Sequence, residues 1–290
     1  MIPAEPFKID QEKCTGCGLC AEVCLVFGMR EGRVRSLLPH LCIRCGHCEA
    51  ICPAEAIRGP FPVERLTSEH RGALPTPESL QFLLRSRRSV RRYKSDPIRQ
   101  EHLDAILEAG RYTPTGSNEQ AIRYLIINDP RKMAALREMA LPQVSKMFAM
   151  ARRVASLPFS SRLLGEKQAH KLKHVYGPAV ETFMERNAKG DDRLLYGAPA
   201  LMLVYGERQD EALAFSCHMA MFSCYLMAHT LGIGCLLNSF LLMAINHYYP
   251  IKRWLGIPKT DKCFGAMVMG YQAVKYRAIV NREPAKVTYL

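Results

Sequence analysis

Residues 14–24 read CTGCGLCAEVC and residues 42–52 read CIRCGHCEAIC. Each cysteine of the first run, Cys14, Cys17, Cys20 and Cys24, returns 28 positions later as Cys42, Cys45, Cys48 and Cys52, and Gly18 returns as Gly46. Both runs have the form C-x2-C-x2-C-x3-C. Three thiolates at successive spacings of three wrap one loop around a single cubane, and a fourth beyond a short turn reaches across to another. The competing reading is a pair of zinc sites. Zinc takes four ligands, commonly as two C-x2-C pairs, and would leave the third cysteine of each run without a role. Spacing and repeat together therefore point to 4Fe-4S clusters. The segment has too few large apolar side chains to stand alone, so the clusters would serve as its staples. His47, between two cysteines, reads as a solvated loop residue because the ligand places are already filled.

Around these runs the chain has ordinary globular composition. Its 290 residues are 48% apolar and 23% charged, which predicts about two domains and excludes disorder, collagen and low complexity. Four further cysteines, Cys217, Cys224, Cys235 and Cys263, have no paired spacing and read as small buried apolar residues. A secreted disulfide scaffold would spread its cysteines through a short chain behind a signal peptide. MIPAEPFKID has neither a basic start nor an apolar core, so no secretory signal is visible, and reduced clusters and thiolates lead us to expect a cytoplasmic protein in an organism that tolerates little oxygen. The most apolar long stretch, 212–231, is broken by Ser216, His218, Ser223 and His229 and predicts a buried helix rather than a membrane span.

The net charge of +13 is unevenly placed. Residues 1–66 carry eight basic and eight acidic side chains, so the whole excess belongs to residues 67–290. Arg85, Arg87, Arg88, Arg91, Arg92 and Lys94 fall within ten residues. That cluster has no interleaved aromatics for stacking bases and no helix-turn-helix or zinc-finger companion, so nucleic acid is not the expected partner.

Over about residues 7–59 the chain resembles the bacterial two-cluster ferredoxins. The resemblance implies that Cys14, Cys17, Cys20 and Cys52 hold one 4Fe-4S cluster, and that Cys42, Cys45, Cys48 and Cys24 hold the other. The family's proline after the fourth cysteine is present as Pro53, whereas Leu25 follows Cys24. The implied organisation is a ferredoxin domain over 1–60, a linker over 61–79 and a second domain over 80–290. The linker belongs to the stretch GPFPVERLTSEHRGALPTPES (59–79), whose Pro60, Pro62, Pro75 and Pro77 predict an extended, stiff connector.

In the second domain the pattern predicts helices over 78–87 and 101–111, a strand over 122–127 and a mostly helical, basic insertion over about 131–190. It continues with a strand over 201–205, a long helix over 211–231, and strands over 233–237 and 264–270. KVTYL (286–290) is strand-like but isolated, and a lone terminal strand needs a sheet to join. No G-x-G-x-x-G follows any strand, so a Rossmann nicotinamide site is not expected.

RSRRSVRRYKSDPI (85–98), followed by a helix and then RYTPTGSNEQ (111–120), resembles the nitroreductase family of FMN enzymes, with decreasing strength from about Leu80 to Leu290. The family's R-R-S-x-R segment binds the FMN phosphate and ribityl chain, which carries over to Arg87, Arg88, Ser89 and Arg91. A dianionic phosphate suits guanidinium forks, and a serine hydroxyl adds a donor. The family's P-S-x-x-N-x-Q segment corresponds to Pro114, Thr115, Gly116, Ser117, Asn118, Glu119 and Gln120. Pro114 and Gly116 would let the backbone lie close to a flat ring, and Asn118 would face the flavin's pyrimidine edge. PTGSN is also simply a good turn between helix and strand. GCLLNSF (234–240) matches the segment beside the reactive flavin nitrogen and points to Asn238 and Ser239. Arg282 matches a late basic residue that reaches the phosphate. The family's mid-chain asparagine corresponds to Asn187 or Asp191.

The resemblances imply an α+β protein in which a two-cluster ferredoxin domain is fused to a nitroreductase-like domain, its central mixed, mainly antiparallel sheet flanked by helices. They also imply FMN, two 4Fe-4S clusters and a homodimer in which the 211–231 helix packs at the two-fold axis and the C-terminal arm crosses to the partner. The expected function is an FMN-dependent oxidoreductase. It would pass electrons from the clusters through FMN to a small electron-poor acceptor such as a nitroaromatic, a quinone or an activated alkene. A reduced ferredoxin or another redox protein is the expected donor, and neither nucleic acid nor membrane is an expected partner. The flavin performs the transfer, so no side chain is assigned as catalytic. In the 131–190 insertion Lys146, Arg152, Arg153, Arg162, Lys167, Lys171 and Lys173 suggest a lid for an anionic substrate or an acidic redox partner, against the alternative of a solvated face. The competing function is a non-catalytic flavin and iron-sulfur carrier, or a redox sensor docking a protein.

Overall fold

In a computed structural model of the chain, which describes residues 6–157, 162, 165–171 and 177–290, each cysteine run turns into a helix at a glycine. Gly18 precedes α1 (Leu19–Val23) at φ 80° and Gly46 precedes α2 (His47–Ile51) at φ 76°. Both lie in the left-handed region that glycine enters without a Cβ penalty, which explains why the repeat keeps its glycines as well as its cysteines. The chain divides into two compact units, Met1–Thr76 with Gly116–Glu119, and Pro77–Thr115 with Gln120–Leu290.

In the first unit β1 (Lys8–Ile9) pairs antiparallel with β4 (Ile57–Arg58), closing the ends of the segment on each other. β2 (Phe27–Arg30) and β3 (Arg33–Ser36) form a hairpin through Glu31 and Gly32, both at positive φ as a tight turn of matching twist requires. The apolar core is small: Phe7, Cys20, Val26, Phe27, Val34 and Ile57. The proline-rich stretch after it is not extended throughout. Its prolines bracket a proline-free run, and there α3 (Ser68–Gly72) forms under a reciprocal cap between Thr67 and His70.

The second unit is built on a four-stranded antiparallel sheet in the order β5-β6-β8-β7, from β5 (Arg123–Ile127), β6 (Ala200–Glu207), β7 (Ile233–Leu237) and β8 (Asp261–Tyr271). Side chains alternate across it. Leu201, Leu203, Leu236, Ala266 and Val268 face one apolar layer. Ala200, Met202, Val204, Cys235, Met267 and Met269 face the other. The first layer is closed by α6 (Pro130–Ala155), α10 (Ser239–His247) and α11 (Tyr249–Trp254), the second by α5 (Gln100–Arg111) and α9 (Glu211–Thr230). Leu136, Leu241 and Ile245 are fully buried, each worth about 1.5–3 kcal/mol of burial. α6 is therefore part of the core through Met133, Leu136, Ala140 and Val144 and is not an added lid. α7 (Glu166–Lys171) and α8 (Gly177–Ala188) complete the helical stretch. Lys173 lies outside the described residues.

α9 carries apolar side chains on all sides, interrupted by a few polar ones. One face, including Leu213, Cys217, Met221 and Cys224, is buried, while Phe215, Met219 and Phe222 remain exposed. It is long and apolar enough by composition to cross a membrane, yet here it packs on a sheet. Sheet pairing in the four strands is entirely antiparallel, and the parallel element is a single bridge, Ser89 to Cys235. Residues 286–290 form no strand within this chain and are exposed.

The parallel bridge fixes the arginine segment. After α4 (Pro77–Ser86) that segment runs beside β7 as a strap, with the Val90 N–H donating to the Cys235 carbonyl at 3.0 Å. Lys94 donates to Tyr271 O, and Ala273 donates back to Arg92 O. Gly234 makes the strap's close approach possible: a Cβ there would stand 2.7 Å from three carbons of Val90. Gly234→Ala is expected to cost about 1–3 kcal/mol. A thermal melt checks the cost, and an unchanged melting temperature would mean that the strap is not held against β7.

Candidate functional site

The first unit gathers its thiols into two sets drawn from both runs. Cys20 lies beside Cys17 and Cys52, and Cys48 lies beside Cys24, Cys42 and Cys45. Burial pushes the Cys20 thiol up, and the neighbouring Cys52 and Cys17 add to it. Burial likewise pushes Cys48 to about 11, with Cys24, Cys42 and Cys45 adding. Such thiols stay protonated near neutrality and ionise only when a cation takes the proton's place. Cys14 is half-buried against the same small core. Backbone N–H groups already point at sulfur: Ala56 donates to Cys52 Sγ at 3.3 Å and Arg44 to Cys42 Sγ at 3.4 Å. An all-sulfur donor set suits soft iron or zinc. Among the described residues no three His, Cys, Asp or Glu side chains close on a single ion. Each crossed set offers thiols alone, and that donor chemistry fits an iron-sulfur cluster.

In the second unit the strap concentrates charge. Among the described residues Arg85, Arg87, Arg88, Arg91, Arg92 and Lys94 have no carboxylate partner, as is also true of Arg131, Arg153, Arg208, Arg253, Arg277 and Arg282; what sets the six apart is that they fall within ten residues. Arg87 donates to the Tyr225 hydroxyl oxygen at 3.0 Å and lies 4.9 Å from that ring's centre. The same hydroxyl sits 2.8 Å from the carbonyl oxygens of Arg88 and Cys235, tying strap, α9 and β7 together. Arg88 donates through Nη1 to the carbonyls of Arg85 and Arg87, while its Nη2 is buried and has no partner. The Ser89 carbonyl accepts from the Tyr276 hydroxyl and from Arg91. Ser86 Oγ meets His229 Nε2 at 2.9 Å. Burial, with Arg87 and Arg88 beside it, holds the His229 imidazole below its usual range. An orphaned guanidinium nitrogen within six cations that lack a carboxylate is what a missing dianion would leave, so the strap fits the phosphate of FMN. Arg282 is exposed on the C-terminal tail.

The ring-contact residues fare differently. Thr115 Oγ1 accepts from the Gln120 N–H, and Ser117, Asn118 and Gln120 all have positive φ, a crowding of left-handed conformations that non-glycine residues rarely adopt. Pro114 and Gly116 are exposed beside them. Within the first unit, the Asn118 amide donates to the carbonyls of Ile43 and Arg44 at 3.2 and 3.0 Å. Asn238 is buried and structurally engaged. It caps α10 by accepting from the Leu241 N–H and donates to the Leu194 carbonyl at 2.6 Å, so its amide is not turned toward a ligand. Ser239 is exposed in the first turn of α10.

Asn187 is also buried, accepting from the Arg193 N–H and from Arg137 and donating to Phe183 O. Asp191 is exposed and pairs with Arg193 and Arg186. Sequence reading missed Asp192, whose carboxylate takes the N–H groups of Leu194, Leu195 and Gly197 and the Arg137 guanidinium. It also missed Tyr225, since nothing in a mainly apolar helix marks a tyrosine as an arginine anchor. The four unpaired cysteines are fully buried; burial pushes Cys217, Cys224 and Cys263 up to about 12 and Cys235 higher, as packing residues behave.

The chain matches the nitroreductase family over residues 84–271 and the 4Fe-4S binding domain over residues 7–24 and 38–58. It belongs to the nitroreductase family and carries an N-terminal 4Fe-4S domain with two motifs. A nitroreductase with bound FMN from Desulfitobacterium hafniense superposes with a TM-score of 0.54 at 21% identity, covering 74% of this chain and 100% of that one. Another with bound FMN, from Bacteroides fragilis, gives 0.52 at 22% identity, covering 73% and 98%. At these identities the likeness shows the fold. An NADH dehydrogenase of Thermus thermophilus is 44% identical over 57 residues, 20% of this chain and 28% of that protein. The matched stretch thus spans little more than a quarter of that relative.

Proposed function

We propose that this flavin- and iron-sulfur-type oxidoreductase binds FMN through its strap, holds two 4Fe-4S clusters through its crossed thiol sets, and reduces a small electron-poor acceptor. The strap supports this reading best, because it gathers six cations within ten residues and leaves the buried Arg88 Nη2 without an acceptor. When bound, the clusters would pass electrons singly and FMN would collect two for delivery as a hydride or in steps. The chain's own part is positional. Arg87, Arg88 and Arg91 would hold the phosphate, Tyr225 keeps Arg87 pointed, and Gly234 lets the strap lie against β7. A nitroaromatic, quinone or activated alkene fits as acceptor, with a reduced ferredoxin or similar redox protein as donor in a reducing cytoplasm. The test is an anaerobic screen of such acceptors against chemically reduced protein. Reoxidation by small acceptors alone is expected; reoxidation that needs a second protein would favour an electron carrier or sensor instead.

The homodimer belongs to the same proposal. The exposed stripe Phe215, Met219 and Phe222 on α9 is 71, 45 and 45% accessible and is apolar surface that a second copy would cover. Phe215→Asp with Phe222→Asp is expected to convert a dimer into a monomer in sedimentation velocity. An unchanged dimer would move the interface elsewhere.

A further inference from the structure

Helices α6 and α8 and the first turn of α10 bring three phenyl rings together. Phe148 meets Phe240 at 4.9 Å with the planes 74° apart, and Phe183 stands 6.2 and 6.1 Å from them, also near edge-on. The rings do not fill the space they surround. A cavity of about 280 Å³ remains between them, walled further by Tyr196 and Val180 and by Arg186 and Arg193. That volume suits a ligand of one aromatic ring, and edge-to-face walls are the arrangement in which a planar ring finds both ring edges and ring faces.

The charge at this cavity is unbalanced. Arg193 holds Asp191 closely, at 2.6 Å, whereas Arg186 reaches the same carboxylate only at 3.7 Å. Two guanidinium groups thus share one carboxylate, and the looser one, Arg186, is half-exposed and able to turn to a ligand. A larger space of about 540 Å³ that also touches Phe148 has as many carboxylates as guanidinium groups in its wall, Arg152 and Arg153 with Glu181 and Glu185, and Arg152 is paired with Glu181. The cavity is also fixed in shape. Tyr196 is held at φ 59°, a conformation that a bulky residue keeps only under constraint, and Asp192 supplies the constraint through the N–H groups on both sides of it. The other link is to the strap, since the Arg91 guanidinium lies 5.9 Å from the Tyr196 ring centre.

We propose that this cavity binds a planar aromatic carboxylate, its ring among Phe148, Phe183 and Phe240 and its carboxylate on Arg186. The proposal rests on the oxidoreductase reading only in making that ligand the acceptor. Two titrations of the oxidised holoprotein separate ring from charge: 4-nitrobenzoate and the neutral 4-nitrobenzamide, followed by calorimetry. Wild type is expected to bind the carboxylate about tenfold more tightly, as one charge-assisted contact provides. Arg186→Met should abolish that preference without weakening the amide. Asp191→Asn, which removes the competing carboxylate, should tighten 4-nitrobenzoate several-fold. Phe240→Ala should weaken both ligands alike. Equal affinity for the two ligands in wild type, or an unchanged preference in both Arg186→Met and Asp191→Asn, would overturn the proposal. Binding of 4-nitrobenzoate without its reduction would defeat the acceptor reading and leave the cavity assignment standing. Reduction of both ligands with no charge preference would do the reverse.

Discussion

Arg87→Ala combined with Arg91→Ala is expected to yield protein that keeps its iron and loses its FMN. Each guanidinium contact to a phosphate is worth about 1.5–3 kcal/mol, so losing two weakens FMN by about 10²–10⁴-fold. Arg87 also donates to Tyr225 and stacks on its ring, so part of its effect passes through the fold. Tyr225→Phe separates the two. It removes the hydroxyl that orients Arg87 and ties the strap to Cys235 O, but leaves every cation in place. A partial loss of FMN is expected there, against a near-complete loss in the double arginine variant. Flavin and iron per chain, measured on the same anaerobic preparation, check both. Full flavin retention in the double variant would remove the phosphate from the strap.

The second large effect concerns the crossing of ligands. Cys52 sits beside Cys20, from the other run, so Cys52→Ala should destroy the cluster that also needs Cys14, Cys17 and Cys20. Iron would fall from about eight to about four per chain. Cys14→Ala should do the same, and the decisive variant is the pair. If both residues serve one cluster, Cys14→Ala with Cys52→Ala loses no more iron than either change alone. If each run closes on itself, the pair loses both clusters. The apolar core of this unit is small, so the half-loaded variants should also melt earlier than wild type.

The parts of the molecule that were readable from sequence are those where geometry forces an interval. A rigid cubane fixes the spacing of its thiolates, so all eight cysteines stood out, and left-handed turns at Gly18 and Gly46 made the repeat deeper than its ligands. β6 and β8 were readable because strands buried on both faces are continuous apolar runs. α10 and α11 were missed because they follow β7 and each other with little punctuation. α9 was expected to be buried. Composition cannot tell an apolar face covered by its own chain from one left exposed, and Phe215, Met219 and Phe222 are of the second kind. At Asn238 two signals overlap. Asparagine before a Ser-Phe-Leu-Leu run is a helix-cap signal, and the side chain caps α10 in a segment that the family resemblance also marks for its backbone. KVTYL pairs with no strand of its own chain, and a strand that needs another chain's sheet is not encoded in a local pattern. The aromatic cavity was invisible because Phe148, Phe183 and Phe240 are far apart in sequence and meet only through the packing of α6, α8 and α10.

Purification under strict exclusion of oxygen, followed by iron and flavin analysis of the wild-type chain, tests the central claim most directly. One chain carrying two cubanes and one flavin should hold about eight irons and about one FMN. Zinc in place of iron, or protein that stays flavin-free after incubation with excess FMN, would contradict it.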